Sequence, residues 1–155
     1  MKRLFFILIV LSCVLTVHAQ QGKDDYKIMV DSAITIKYTQ YLDTSKKRNS
    51  EYYLENLYLL NEQDQPLNSV SSSNKFKFIN VYDDRNRKVL SKGIYAWKVF
   101  TTLNKNKFVI TIINLYITYK KRNYDFSSGG GSQTVYEYSC DEGKWRLITS
   151  ENWGI

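Results

Sequence analysis

The sequence predicts an α+β domain, in which an N-terminal helix packs on a curved antiparallel β-sheet. Three observations carry this expectation. Residues 24–42 place apolar side chains at helical spacing. From residue 75 onward, runs of β-branched and aromatic residues alternate with short polar turns. A single proline, Pro66, and the lack of a long Pro- or Gly-rich linker point to one domain. A mainly-β barrel or sandwich is the competing architecture, because Ile34, Ile36 and Tyr38 also alternate as a strand would.

The first element is a leader. In MKRLFFILIVLSCVLTVHA, Lys2 and Arg3 precede an apolar run from Leu4 to Val17, and Val17-His18-Ala19 supplies a small residue at −1 and an acceptable one at −3. This is the three-part pattern of a secretory signal peptide. The run is shorter than the roughly 20 residues that span a bilayer as a helix. The expected boundaries are therefore 1–19 for the signal peptide and 20–155 for a single exported domain, periplasmic or extracellular, with no transmembrane span in the mature chain. Val10-Leu11-Ser12-Cys13 loosely resembles a lipobox, so lipid anchoring at Cys13 is the alternative.

Removal of the leader narrows the chemistry. His18 is the sole histidine of the chain and departs with it, as does Cys13. Without histidine neither a Ser-His-Asp nor a Cys-His arrangement can form, since the general base is missing. The usual His/Cys zinc site is excluded for the same reason. Cys140, left alone, cannot form an intrachain disulfide. Cleavage removes two of the 22 basic residues and none of the 15 acids, so the net charge becomes +5. Acids and bases are interspersed, which describes a solvated mixed surface. Export makes nucleic acid the least expected partner.

Helix 24–42 begins at Asp24 and Asp25, whose carboxylates suit the free N–H groups and positive end of a helix. Tyr26, Val30, Ala33, Ile34, Tyr41 and Leu42 form its apolar face. TSKKRNS (44–50) reads as an exposed turn, and EYYLENLYLL (51–60) fits either strand or helix. NSVSSSNK (68–75) reads as a loop. KFKFINVY (75–82) alternates as a strand with Phe76 and Phe78 on one face, and DDRNRK (83–88) reads as a polar turn. GIYAWKVFTTL (93–103) and FVITIINLYITY (108–119) are long strands joined by a tight hairpin at NKNK (104–107). SSGGGS (127–132) reads as a connection between strands. TVYEYSC (134–140) and WRLITS (145–150) are the last two strands. A helix followed by strand meanders resembles the cystatin-like and nuclear-transport-factor-like architectures. The likeness is architectural, rests on no motif, and implies no functional residue.

Turn positions imply registers. Leu103 should face Phe108, which sets Val99 opposite Ile112, Trp97 opposite Asn114 and Tyr95 opposite Tyr116. The other face of that pair carries Ile94, Ala96, Phe100, Val109, Ile113, Leu115 and Ile117. Being more aliphatic, it is the expected helix-packing surface. Both faces are apolar, which predicts cover on both sides of the central strands. In the last hairpin, a loop at 141–144 would pair Cys140 with Trp145 and Tyr138 with Leu147. That places Cys140 on an apolar face as a buried, inert thiol.

Asp83-Asp84 and Asp141-Glu142 are adjacent carboxylates in turns beside Arg or Lys, where water screens them. DDRNRK lacks the glycine and final glutamate of a calcium loop, and SSGGGS is not followed by the Lys-Ser/Thr of a P-loop. No cofactor and no metal site are expected. Thirteen tyrosines are the distinctive feature of the composition. Aromatic platforms interrupted by amides stack flat ligands, and Tyr95, Trp97, Asn114 and Tyr116 form the best candidate ligand-binding patch. Lys46, Lys47 and Arg48, with Lys120, Lys121 and Arg122, are candidates for an anion-binding rim. The expected function is a non-catalytic exported binding module for a small molecule, glycan or partner protein, inhibitor- or immunity-like proteins being of this class. The alternatives are a small histidine-independent hydrolase or lyase using Tyr, Arg and carboxylates, and a structural or surface-adhesive component.

Overall fold

The computed structural model describes residues 25–43, 56–67 and 75–154. The expected leader 1–19 with Cys13, the turn 44–50, residues 51–55 and most of the loop 68–75 lie outside the described residues.

Residues 25–43 form helix α1. At 1.5 Å per residue it is about 28 Å long. Met29, Val30, Ala33, Ile34 and Lys37 are buried, and Tyr38, Tyr41 and Leu42 pack beside them. The strand-like alternation at 34–38 does not prevail. The hydroxyls of Thr35 and Thr39 donate to the carbonyls of Asp31 (2.8 Å) and Thr35 (3.0 Å), so these β-branched residues settle inside the helix.

The sheet has five strands in sequence order: β1 (Leu57–Leu60), β2 (Ile94–Asn104), β3 (Lys107–Lys120), β4 (Asn123–Ser139) and β5 (Lys144–Trp153). β2 to β5 form an antiparallel meander, as expected. β1 departs from the expectation, since it pairs with β2 in parallel and makes the sheet mixed. Between β1 and β2 the chain crosses the outer face, through a 3-10 turn at Asp84–Asn86 that runs into a one-turn helix α2, Arg87–Leu90. DDRNRK is thus a short helical corner. Asp83 starts it by accepting from the Arg85 N–H.

KFKFINVY is not a strand. Lys77 makes one isolated bridge to Tyr58, Phe76 is buried and Phe78 is exposed. The segment leaves β1 after that contact so that Ile79 and Val81 can sink beside Leu90. The Asn86 side-chain amide, donating to the Asn80 carbonyl at 2.8 Å, holds the bend.

The β2–β3 register is the one expected: Leu103 opposite Phe108, Val99 opposite Ile112, Trp97 opposite Asn114 and Tyr95 opposite Tyr116. β3 and β4 join through Lys121 and Arg122, whose φ values of 50° and 66° match a two-residue hairpin turn with both residues left-handed. SSGGGS is not a connection between strands but the middle of β4. Ile113 pairs with Gly131 while Leu115 pairs with Ser128, so β4 carries an extra residue opposite Asn114. Gly130, at φ 107°, supplies a conformation that side-chain-bearing residues avoid. Such a bulge bends and twists the strand. The Trp153 ring lies over Gly131, where a Cβ would come within 2.6 Å of it.

Cover on both faces of the sheet is as expected, but the helix takes the face not expected. α1 packs on Leu57, Leu59, Trp97, Val99, Phe108, Ile110, Ile112 and Tyr136. The more aliphatic side, with Ile94, Ala96 and Ile117, meets Leu60, Ile79, Val81 and Leu90 instead. The helix carries tyrosines on its stripe, and these meet the aromatic side by ring-edge contacts. Tyr38 and Tyr41 set their rings 6.5 and 6.1 Å from Trp97, both nearly perpendicular to it.

Cys140 is also placed otherwise than expected. It is exposed. β4 and β5 pair as Ser139 with Lys144, Tyr138 with Trp145 and Tyr136 with Leu147, and the register shifts at the next pair, Val135 with Thr149. The loop is thus 140–143, one residue earlier than expected. Gly143, at φ 63°, donates its N–H to the Ser139 carbonyl at 2.9 Å and closes the turn there. Cys140 becomes a turn residue.

Candidate functional site

The inner face of the sheet runs in rows across the strands. α1 covers the rows from Phe108, which meets Tyr26 at 5.4 Å, to Trp97, which meets Tyr41 at 6.1 Å. The next row is Tyr95, Tyr116 and Ser127. There Tyr95 and Tyr116 are only about 60% covered. A cavity of about 250 Å³ opens at this step, walled by Tyr41, Tyr95, Trp97, Asn114, Tyr116 and Ser127, with Leu57 and the backbone around Gly129 completing it. All four residues of the candidate patch, Tyr95, Trp97, Asn114 and Tyr116, therefore line one cavity.

Each wall residue has a different role. The Trp97 indole is buried and held from several sides, by Tyr38, Tyr41 and Phe76. The Tyr95 and Tyr116 rings meet at a tilt of 47°, with centroids 4.9 Å apart. Gly93, at φ 81°, lets the Tyr116 ring lie flat on the backbone, since a Cβ there would overlap the phenol. Asn114 sits opposite the glycine bulge, and its Oδ1 is buried without a hydrogen bond. The Ser132 hydroxyl, on the same face one step along β4, is buried and unsatisfied in the same way. Burying a polar atom unpaired costs free energy, so two such atoms in one region are notable.

Lys37 belongs to this region and was not singled out in the sequence. It is 3% exposed, and its ammonium lies 5.1 Å from the centroid of the Trp97 indole. Burial lowers its pKa from 10.5 to about 8. The attraction of a cation for an indole face offsets part of the desolvation. The signal available in the sequence was its position in the helical stripe, three residues after Ile34 and four before Tyr41.

The described anion-rim candidates do not line the cavity. Lys120, Lys121 and Arg122 form the exposed β3–β4 hairpin tip. It lies four residues past Tyr116, roughly 13 Å along the strand. Lys46, Lys47 and Arg48 lie outside the described residues.

A second polar cluster lies on the opposite face. Asp64, buried at φ 59°, pairs with Lys98 at 2.7 Å and accepts from the Tyr82 hydroxyl at 3.1 Å. Burial, and then the hydrogen bond and charge of Asp64, raise the Tyr82 pKa. The Asp64 carbonyl also accepts from the Val81 N–H. The Lys98 ion pair ties the β1–β2 crossover to β2, and the Tyr82 and Val81 bonds tie the crossover to itself, which makes the set a clamp. The paired carboxylates read as turn residues: Asp83 binds Arg85, Asp84 binds Arg87, and Glu142 binds Arg146 and Lys144. Among the described residues no three His, Cys, Asp or Glu side chains converge, and no helix is long and apolar enough to cross a membrane.

No family model and no curated protein matches the chain. Among solved structures, an NTF2-like protein with a cystatin-like fold from Novosphingobium aromaticivorans is similar over 92% of this chain and 86% of its own, at 9% identity and a TM-score of 0.25. A likeness of that degree transfers no residue and no role.

Proposed function

We propose that this protein is an exported, non-catalytic binding module that takes a small flat ligand into the cavity beyond the last described turn of α1. The observation that supports this reading is the convergence of Tyr95, Trp97, Asn114 and Tyr116 on one cavity, with a buried amide oxygen that no group among the described residues satisfies. Ligand sites are concave and mostly apolar, with a few polar groups that fix orientation. The described walls offer that combination: aromatic rings, one amide and two serines, Ser127 and Ser128. Export rests on the leader-like pattern of residues 1–19.

A binding test uses neutral planar probes, indole and benzamide among them, with the intrinsic tryptophan fluorescence as readout. Saturable quenching in the wild type that is lost in Tyr95→Ala/Tyr116→Ala supports the reading. Quenching that is unchanged in the double variant, or absent throughout, would remove the cavity as a site.

A further inference from the structure

The groups around the cavity bear on what kind of flat molecule it takes. Lys37 is one helical turn from Tyr41, and both lie against the Trp97 indole, at 5.1 and 6.1 Å. Trp97 and Tyr41 are themselves cavity wall. The ammonium thus sits immediately behind the wall, on a side chain that is buried as a whole. The ion pairs among the described residues join Arg85 to Asp83, Arg87 to Asp84, Lys98 to Asp64, and Lys144 and Arg146 to Glu142; none includes Lys37. A buried cation without a counter-charge is costly in a protein interior. Two further unsatisfied groups, the Asn114 amide oxygen and the Ser132 hydroxyl, lie on adjacent rows of the same face.

We infer that the ligand is a flat monoanion, an aromatic or unsaturated carboxylate, whose ring stacks on Tyr95, Trp97 and Tyr116 and whose charge is balanced by Lys37. This rests on the reading of the cavity as a ligand site. Among the described residues one cation, Lys37, lies behind this wall, and it matches a single negative charge. A phosphate would bring up to two charges against that one cation, and the described walls of the cavity contain no arginine to hold it. A ring hydroxyl or amino group on the ligand would also give Asn114 Oδ1 the donor it lacks.

The test measures binding of benzoate, 4-hydroxybenzoate and indole-3-carboxylate, each against its neutral carboxamide, by calorimetry on the wild type and Lys37→Met. The acid and amide have nearly the same shape, so their difference reports charge. The expected result is a preference of about ten-fold or more for the acids in the wild type. In Lys37→Met that preference should shrink to within about two-fold, while the amides bind as before. If Lys37→Met does not fold, Lys37→Gln takes its place. Equal binding of acid and amide by the wild type would overturn the inference and leave the cavity reading standing; Lys37 would then serve only the helix terminus. A preference that survives the substitution would also overturn it. Failure of every probe, acid and amide alike, would remove the cavity reading and this inference together.

Discussion

Trp97 faces Asn114 across the β2–β3 pair, so a buried indole and an unsatisfied amide stand side by side in one cavity wall. The amide does nothing visible for the fold. Asn114→Leu should therefore keep or raise stability, by about 1 kcal/mol for relief of an unpaired buried polar atom. It should also abolish binding of planar probes. A thermal melt with a parallel binding assay checks both halves. A loss of roughly 1–3 kcal/mol would mean that the amide has a structural partner in solution.

Lys37 predicts a pH signature of unusual sign. Its folded pKa, about 8, lies below the unfolded value of 10.5. Between those values the unfolded chain binds more protons, so its contribution to stability rises with pH through the window of about 8 to 10.5. Below pH 8 the full penalty is present, on the order of 3 kcal/mol for a shift of this size. Lys37→Met removes the titrating group. The variant should be more stable than the wild type at pH 7, and the difference should shrink as pH rises to 10. Chemical denaturation of both proteins at a series of pH values measures this, and parallel curves would refute it.

Cys140 should react rapidly with a water-soluble thiol reagent in the native state, because it stands exposed in the β4–β5 turn. Cys140→Ser should change stability by no more than about 0.5 kcal/mol, as surface substitutions do. A native labelling rate far below that of the unfolded chain would show that the hairpin closes one residue later.

The proposed export makes a prediction about the N-terminus. Mass spectrometry of the exported protein should find Gln20 as the first residue, or one within a residue or two of it. A mature form beginning at a lipidated Cys13 would move the protein to a membrane surface.

Much of the fold was legible because it depends on local periodicity. The 24–42 stripe, the two long strands and the register from Leu103–Phe108 to Tyr95–Tyr116 all follow from spacing and one tight turn. The four-residue patch was legible for the same reason, since antiparallel pairing fixes which side chains share a face. Errors arose where a single residue of slippage or a change of partner decides the outcome. Closing the last turn one residue earlier moved Cys140 from a wall to a tip. The glycines of SSGGGS have the composition of a loop, and a bulge uses glycine for the same freedom of φ. In KFKFINVY the alternation is real, but after one bridge the chain is drawn toward Leu90.

The sequence by itself determined that this is a helix followed by a β-meander, and which residues of β2 and β3 look the same way. It also limited the chemistry, since the expected mature chain has no histidine and a single cysteine. Only the tertiary structure decided which face the helix would take, and where it would stop covering it. Periodicity gives each strand two apolar faces and no means of ranking them. The ranking comes from tertiary contacts: the helix tyrosines meet the Trp97 ring, and Ile79, Val81 and Leu90 of the crossover take the aliphatic side. The same placement buried Lys37 against Trp97, a pairing between residues far apart in the chain that no local pattern encodes.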